Sequence, residues 1–351
     1  MDDISARRND WGNSGCFYDT VEYDIFKLIV IQLYLKMVKI QKINSIALTV
    51  ADIDKATNFY TQALGFKTVG DLTFEASSSY SQLDSIPPTR IRLVTLQLGD
   101  ELIELVQYLD LEAKPIPEDS QSNDLWFQHM AIVVSDINRA YKHLQSFPIQ
   151  PISKKPQTMP ADNELAAGVK AFKFRDPEGH SLEIIWFPKD KGKDKWQQNS
   201  DDLFLGIDHS AISVDNTKDS LKFYRDLLGM TVEGSNLNSG KIQADLDGLL
   251  APEVKVTPLQ PVEASIGVEL LDYIKPGTGR QVPNDWKISD LAHMHFILEV
   301  DNIEQILDPL KQQGVKVISP NLIQFPESYR YRQGCLIKDP NGHALLLVAL
   351  P

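Results

Sequence analysis

Four segments of this chain carry one eight-residue phrase: "SIALTVAD" from Ser45, "HMAIVVSD" from His129, "HSAISVDN" from His209 and "HFILEVDN" from His295. Their starts lie 84, 80 and 86 residues apart. Period-two alternation rich in Ile and Val predicts a half-buried strand, and the closing Asp or Asn predicts a helix N-cap. Helical patterns follow in "DKATNFYTQALGF", "NRAYKHLQSF", "TKDSLKFYRDLLGM" and "IEQILDPLKQQG", with Gly65, Gly229 and Gly314 at C-cap positions. The later parts repeat too. "FRDPEGHSLEIIWF" (174–187) matches "IKDPNGHALLLVAL" (337–350), each an Asp-Pro and Gly turn feeding a last strand, and "LIELVQ" (102–107) matches "GVELLD" (267–272). The chain is therefore expected to be α+β, with four βαβββ units whose first strands begin near residues 43, 128, 207 and 293.

A chain of 351 residues is long for one core and suits two domains of about 150. Paired units place these at 41–188 and 205–351, joined by a polar linker, "KDKGKDKWQQNSDDLF", over 189–204. Residues 1–40 form an extension. Its apolar run "DIFKLIVIQLYLKMV" (24–38) is interrupted by Lys27 and is shorter than the ~20 residues of a spanning helix. Asp2 and Asp3 occupy the start where a signal peptide would be basic. The extension is read as a packing or interfacial helix without chemistry. A net charge of −13 opposes binding to nucleic acid or an anionic membrane. Two cysteines, Cys16 and Cys335, make no disulfide framework and point to a reducing, cytoplasmic setting. The expected partner is a small molecule. No integral membrane segment is expected, and the oligomeric state stays open.

"NFYTQALGF", "KFYRDLLGM" and the two DPxGH turns resemble the vicinal oxygen chelate superfamily of glyoxalase I, extradiol dioxygenases, methylmalonyl-CoA epimerase and bleomycin-resistance proteins. The resemblance covers roughly residues 40–351. It implies two glyoxalase-like domains whose curled mixed sheets enclose clefts, on a scaffold that runs several chemistries. It also implies metal ligands on the first and last strands of each unit. The matching positions are Ser45 and Glu104, His129 and Glu183, His209 and Glu269, and His295 and Leu346. Imidazole and carboxylate suit one divalent ion, whether Zn, Ni, Fe or Mn. An inward carboxylate is costly unless it is paired or binds metal. Buried histidines and glutamates satisfied by hydrogen bonds are the alternative.

Two pairings of units are open. Neighbour pairing leaves each cleft one ligand short. Cross-pairing gathers His129, Glu183, His209 and Glu269 in one cleft and leaves Ser45, Glu104, His295 and Leu346 in a disabled one. Glu183 and Glu269 are also the candidate proton carriers. Tyr329, Arg330, Tyr331 and Arg332, before a strand near a cleft mouth, are candidate substrate contacts. His180 and His343 are expected exposed in turns, His143 on a helix surface, and His293 as a spare ligand or support for His295. The full ligand set looks most like a glyoxalase-type lyase or isomerase working through an enediolate. The arginine that helps grip glutathione in bacterial glyoxalase I is not matched, because Ser213 stands there. An Fe-dependent extradiol dioxygenase using His209 and His295, and a non-catalytic sequestering protein, are the alternatives.

Overall fold

The Asp or Asn that closes each repeated phrase does cap a helix. Asp52 accepts from the backbone N–H of Lys55, Asp136 from Asn138 and Arg139, Asn216 from Lys218 and Asp219, and Asn302 from Gln305. The computed structural model describes residues 39–75, 79–84 and 86–349. Of the extension read over 1–40, residues 1–38, Cys16 included, lie outside them. Among the described residues no helix is long and apolar enough to cross a membrane.

The first unit comprises β1 (Ile40–Thr49), α1 (Ile53–Leu64), β2 (Lys67–Phe74), β3 (Ile91–Leu98) and β4 (Glu101–Tyr108). The second comprises β5 (Gln128–Val134), α2 (Ile137–Leu144), β6 (Gln150–Pro151), β7 (Gln157–Thr158), β8 (Lys170–Arg175) and β9 (Ser181–Trp186). In the third, β10 (Phe204–Val214) leads into α3 (Thr217–Leu221), then β11 (Thr231–Val232), β12 (Asn236–Ser239), α4 (Gly240–Asp247), β13 (Glu253–Gln260) and β14 (Gly267–Lys275). The fourth has β15 (Met294–Val300), α5 (Ile303–Gln312), β16 (Lys316–Val317), β17 (Ile323–Gln324), β18 (Gln333–Lys338) and β19 (Ala344–Ala349). The first strands thus start within three residues of expectation. One helix differs: α3 widens into a π turn over Lys222–Leu227, which buries Phe223, Tyr224 and Leu227 together.

The strands form two curled mixed sheets, ordered β16-β18-β19-β15-β1-β4-β3-β2 and β11-β13-β14-β10-β5-β9-β8-β6. Each first strand runs parallel to the last strand of its own unit and antiparallel to the first strand of another. The antiparallel partners are β1 with β15 and β5 with β10. Of the two pairings, the chain therefore adopts the crossed one, first with fourth and second with third. Register shifts fall just before Ser45 in β1 and just before His209 in β10, and such bulges re-aim the side chains that follow.

The sequence motifs tie the two sheets together. Tyr60 of "NFY" donates its hydroxyl to Asp176 Oδ2 at 3.1 Å, in the DPEGH turn of the second unit. His180 of that turn has Nδ1 at 2.9 Å from Asp176 and Nε2 at 3.0 Å from the carbonyls of both Thr49 and Leu291. The arrangement repeats where Tyr224 donates to Asp339 and His343 Nε2 meets the Ser213 carbonyl at 2.8 Å. The expected exposure of His180 and His343 is therefore corrected: both are buried, because their turns insert into the opposite sheet. His143 is half-buried, with Nε2 at 3.1 Å from the Ala63 carbonyl.

Candidate metal centre

Strand register brings four ligand-type side chains to the middle of the second sheet. Across β10, β5 and β9, one row reads His209, Ala131 and Glu183. The next row, across β14, β10 and β5, reads Glu269, Ala211 and His129. The rows are related by a local twofold between β5 and β10. Each has an alanine in its centre, and the methyl groups of Ala131 and Ala211 leave room for four larger side chains to lean inward. The quartet expected from crossed pairing is thus assembled.

His129 Nε2 lies 3.0 Å from Glu183 Oε2, and His209 Nε2 lies 3.3 Å from Glu269 Oε2. The two imidazole rings meet edge to face with centroids 5.8 Å apart. His209 is oriented from behind, its Nδ1 3.0 Å from Asp208 Oδ2, and Asp208 accepts from Trp196 Nε1 at 2.6 Å. Burial lowers the affinity of His129 for a proton and takes its pKa to about 4, so the ring is neutral. Burial also opposes a charge on His209, but Glu269, Asp208 and Glu183 outweigh it and raise the pKa to about 9. Burial works against ionised Glu183 as well. Its neighbours His129, Lys173 and His209 prevail and hold it at about 2, with the positive charge supplied by Lys173 and His209. Burial raises the pKa of Glu269.

Two neutral or ionisable imidazoles and two carboxylates are a donor set for a borderline divalent ion. Among the described residues, however, no three such groups stand where they could hold an ion as they are, because each histidine is in direct contact with a glutamate. The fit therefore rests on side chains rather than backbone. His129 has both ring nitrogens buried with no hydrogen bond, since its approach to Glu183 lacks hydrogen-bond geometry. A buried imidazole normally finds a partner, and an ion between the two pairs would supply one. We find the residues compatible with such a group.

The corresponding place in the first sheet is closed. Ala47 separates Glu104 from His295, as Ala211 separates Glu269 from His129, but Ile297 stands between Ser45 and Leu346. Isoleucine where the second sheet has alanine fills the space that ligands would need. Tyr329 donates its hydroxyl to Glu104 Oε2 at 2.6 Å and packs with Phe74, Tyr80, Phe325 and Tyr331. Burial raises the pKa of Glu104 and lowers that of His295 to about 3. His293 does support His295, with Nε2 at 3.0 Å from its Nδ1. Tyr329, Arg330, Tyr331 and Arg332 are not at the mouth of the quartet's cleft. Tyr329 and Tyr331 are buried in this other core, Arg330 is half-buried beside Glu104, and Arg332 is exposed. Nor do His209 and His295, the pair required by a dioxygenase, share a sheet.

A cavity of about 620 Å³ opens onto His209 and Glu269. One wall comes from the segment read as linker, where Lys193 donates to the carbonyls of Asp208 and Ser265, and Trp196 is buried. Sequence reasoning also missed Lys173, a buried ammonium 4.0 Å from Glu183 and 2.7 Å from Asp247 of α4. The signal was present in "KAFKFR": alternation puts Lys173 on the same face as Ala171, opposite Glu183 in register.

Comparison with known proteins agrees with this architecture. A family model described as Glyoxalase/Bleomycin resistance protein/Dioxygenase superfamily matches residues 42–184 and again 206–347. A 2-epi-5-epi-valiolone epimerase from Actinomyces sp is 29% identical over 150 residues, which are 42% of this chain and 79% of that protein. Glyoxalase I from Saccharomyces cerevisiae is 24% identical over 197 residues, 54% of this chain and 56% of that one. Among solved structures, glyoxalase I from Zea mays superposes with a TM-score of 0.55 at 15% identity, covering 88% of this chain and 92% of that chain. A putative dioxygenase from Bacillus subtilis gives 0.54 at 14%, covering 89% and 86%. At these identities the structures speak for the fold alone. The repeated motifs, the two composite sheets and the match over both halves converge: this chain belongs to the Glyoxalase/Bleomycin resistance protein/Dioxygenase superfamily.

Proposed function

We propose that this protein is a metal-dependent lyase or isomerase of the glyoxalase kind. It moves a proton at the carbon beside a carbonyl in a small substrate with vicinal oxygens, through an enediolate-type anion. One observation carries the reading: His129, Glu183, His209 and Glu269 are gathered from four strands around two alanines in a single cleft. Held by these four residues, a divalent ion would supply Lewis-acid stabilisation to the substrate oxygen that gains negative charge.

The two carboxylates have different parts. Glu183 is kept ionised by its cationic neighbours Lys173 and His209, which suits a permanent ligand. Glu269 borders the cavity, and burial raises its pKa toward the working range of a general base. Glu269 takes the proton from one carbon and returns it to the next, so no net acid or base is consumed. His209, oriented by Asp208, keeps Nε2 facing Glu269. The names of the two curated relatives, an epimerase and a glyoxalase I, favour this chemistry over ring cleavage. A reducing cytoplasmic location suits the reading.

The test is elemental analysis of protein purified without chelator or metal-affinity tag, followed by titration of the apoprotein with Zn²⁺, Ni²⁺, Mn²⁺ and Fe²⁺. One ion per chain, lost in Glu183→Gln, is expected. A folded protein that takes up none of these ions would instead be a sequestering protein, and oxygen uptake with substrate would restore the dioxygenase.

A further inference from the structure

The same cleft carries information about what it accepts. Four carboxamides line it: Asn163, Asn236, Asn238 and Gln260. Three are already ordered. Asn163 and Asn236 each donate to Asn238 Oδ1 at 2.8 Å, and Asn163 Oδ1 accepts from the Ala166 backbone at 2.8 Å. With its oxygen taken, Asn238 has its own N–H groups left to donate. A carboxamide both gives and takes hydrogen bonds, as a hydroxyl does, so a set of fixed amides matches a ligand rich in hydroxyls.

Gln260 is placed by a missing side chain. A Cβ on Gly267 would come within 2.6 Å of Gln260 Nε2. Gly267 is the strand neighbour of His209. Its lack of a side chain lets the glutamine amide lie beside the histidine, within reach of a substrate engaged there.

The charge of the lining points the same way. Asp194, Asp208, Glu233 and Glu269 line this cavity together with Lys191 and Lys193, and no arginine does so among the described residues. Both lysines already donate to backbone carbonyls, Lys191 to Glu164 and Lys193 to Asp208 and Ser265. Phosphate and carboxylate ligands are usually held by arginine forks or free ammonium groups. Here there is no arginine fork in the lining and neither ammonium is free.

We infer that the cleft between the second and third units accepts an uncharged, polyhydroxylated carbonyl compound, with Asn238 and Gln260 as specificity-determining contacts to its hydroxyls. This deepens, and rests on, the reading of that cleft as the catalytic one. The probes are scyllo-inosose as a neutral polyhydroxylated cyclic ketone, D-fructose 6-phosphate as an anionic counterpart, S-hexylglutathione and cyclohexanone. Binding to the full chain is followed by titration calorimetry and ligand-observed NMR, with bound metal measured on the same samples. Scyllo-inosose should bind at least tenfold more tightly than the other three. Asn238→Leu and Gln260→Leu should each weaken it about tenfold while leaving metal per chain and the circular dichroism spectrum unchanged. Preference for either anion or for cyclohexanone, no binding of the inosose, or unaltered binding in both variants overturns the inference. If the inosose binds as expected but no metal does, the catalytic reading fails and the ligand class stands.

Discussion

His129 and His295 occupy equivalent strand positions, both are buried and both lack a hydrogen bond at Nε2, yet their surroundings differ by one carboxylate and a few carbons. Beside His129 the cleft keeps Ala131 and Glu183. Beside His295 the matching positions are Ile297 and Leu346. His129→Ala and His209→Ala should therefore each abolish metal uptake by apoprotein, whereas His295→Ala should retain it, as read by equilibrium dialysis with elemental analysis. The opposite pattern would mean that the first sheet holds the ion. These residues were legible in sequence because strand spacing repeats along the chain, so four separate strands report the same inward position. Lys173 was marked only as an inward position by alternation, and its pairing with Asp247 was not legible, because the partner that makes a buried lysine tolerable lies 74 residues away.

At the scale of elements, α4 is fastened by Asp247. Its carboxylate receives Lys173 Nζ at 2.7 Å, Gln243 Nε2 at 2.6 Å and the Tyr273 hydroxyl at 3.1 Å. Asp247→Ala removes the close partner of the buried lysine charge and leaves it only Glu183 at 4.0 Å, which should cost about 3–5 kcal/mol of stability. Lys173→Met combined with Asp247→Leu should recover most of that loss in urea unfolding; a double variant as unstable as the single would deny that the charge is the cause. The DPEGH turn makes a pH prediction. Both nitrogens of His180 face acceptors, so only the imidazolium satisfies them. Burial opposes the charge, but Asp176 and Glu178 raise the pKa to about 9. The folded value exceeds the unfolded value of about 6.5, so the stabilisation is complete below about pH 6.5 and is lost as pH rises through 9. It amounts to at most about 3 kcal/mol. The urea midpoint should fall between pH 6.5 and 9.5 in the parent protein and stay flatter in His180→Gln. Local sequence misread this turn, since Asp-Pro and Gly ordinarily mark exposed corners and the atoms that bury His180 lie 131 and 111 residues away.

At the scale of the whole molecule, neither sheet belongs to one half of the sequence. Periodicity revealed the units and their elements, but strand pairing is a long-range choice to which the alternating pattern is indifferent. Only the grouping of the ligand positions hinted at it. Residues 41–188 expressed alone should expose the pairing edges of β1 and β5 and either aggregate or dimerise, because unpaired apolar edges seek partners. Mixing with 205–351 should restore a one-to-one complex, seen by light scattering, and restore metal uptake. A stable monomeric half with a native-like spectrum would contradict the shared sheets.

A dimer built from identical half-length chains would carry two copies of every cleft, and each substitution would strike both at once. Joining the halves in one chain removes that constraint. Ile297 and Leu346 close one cleft while Ala131 and Glu183, their counterparts, remain untouched in the other. The closed cleft then contributes aromatic packing. On the proposed reading, the stoichiometry would be one per chain by construction, and binding would follow a simple hyperbola with no second identical site to couple to.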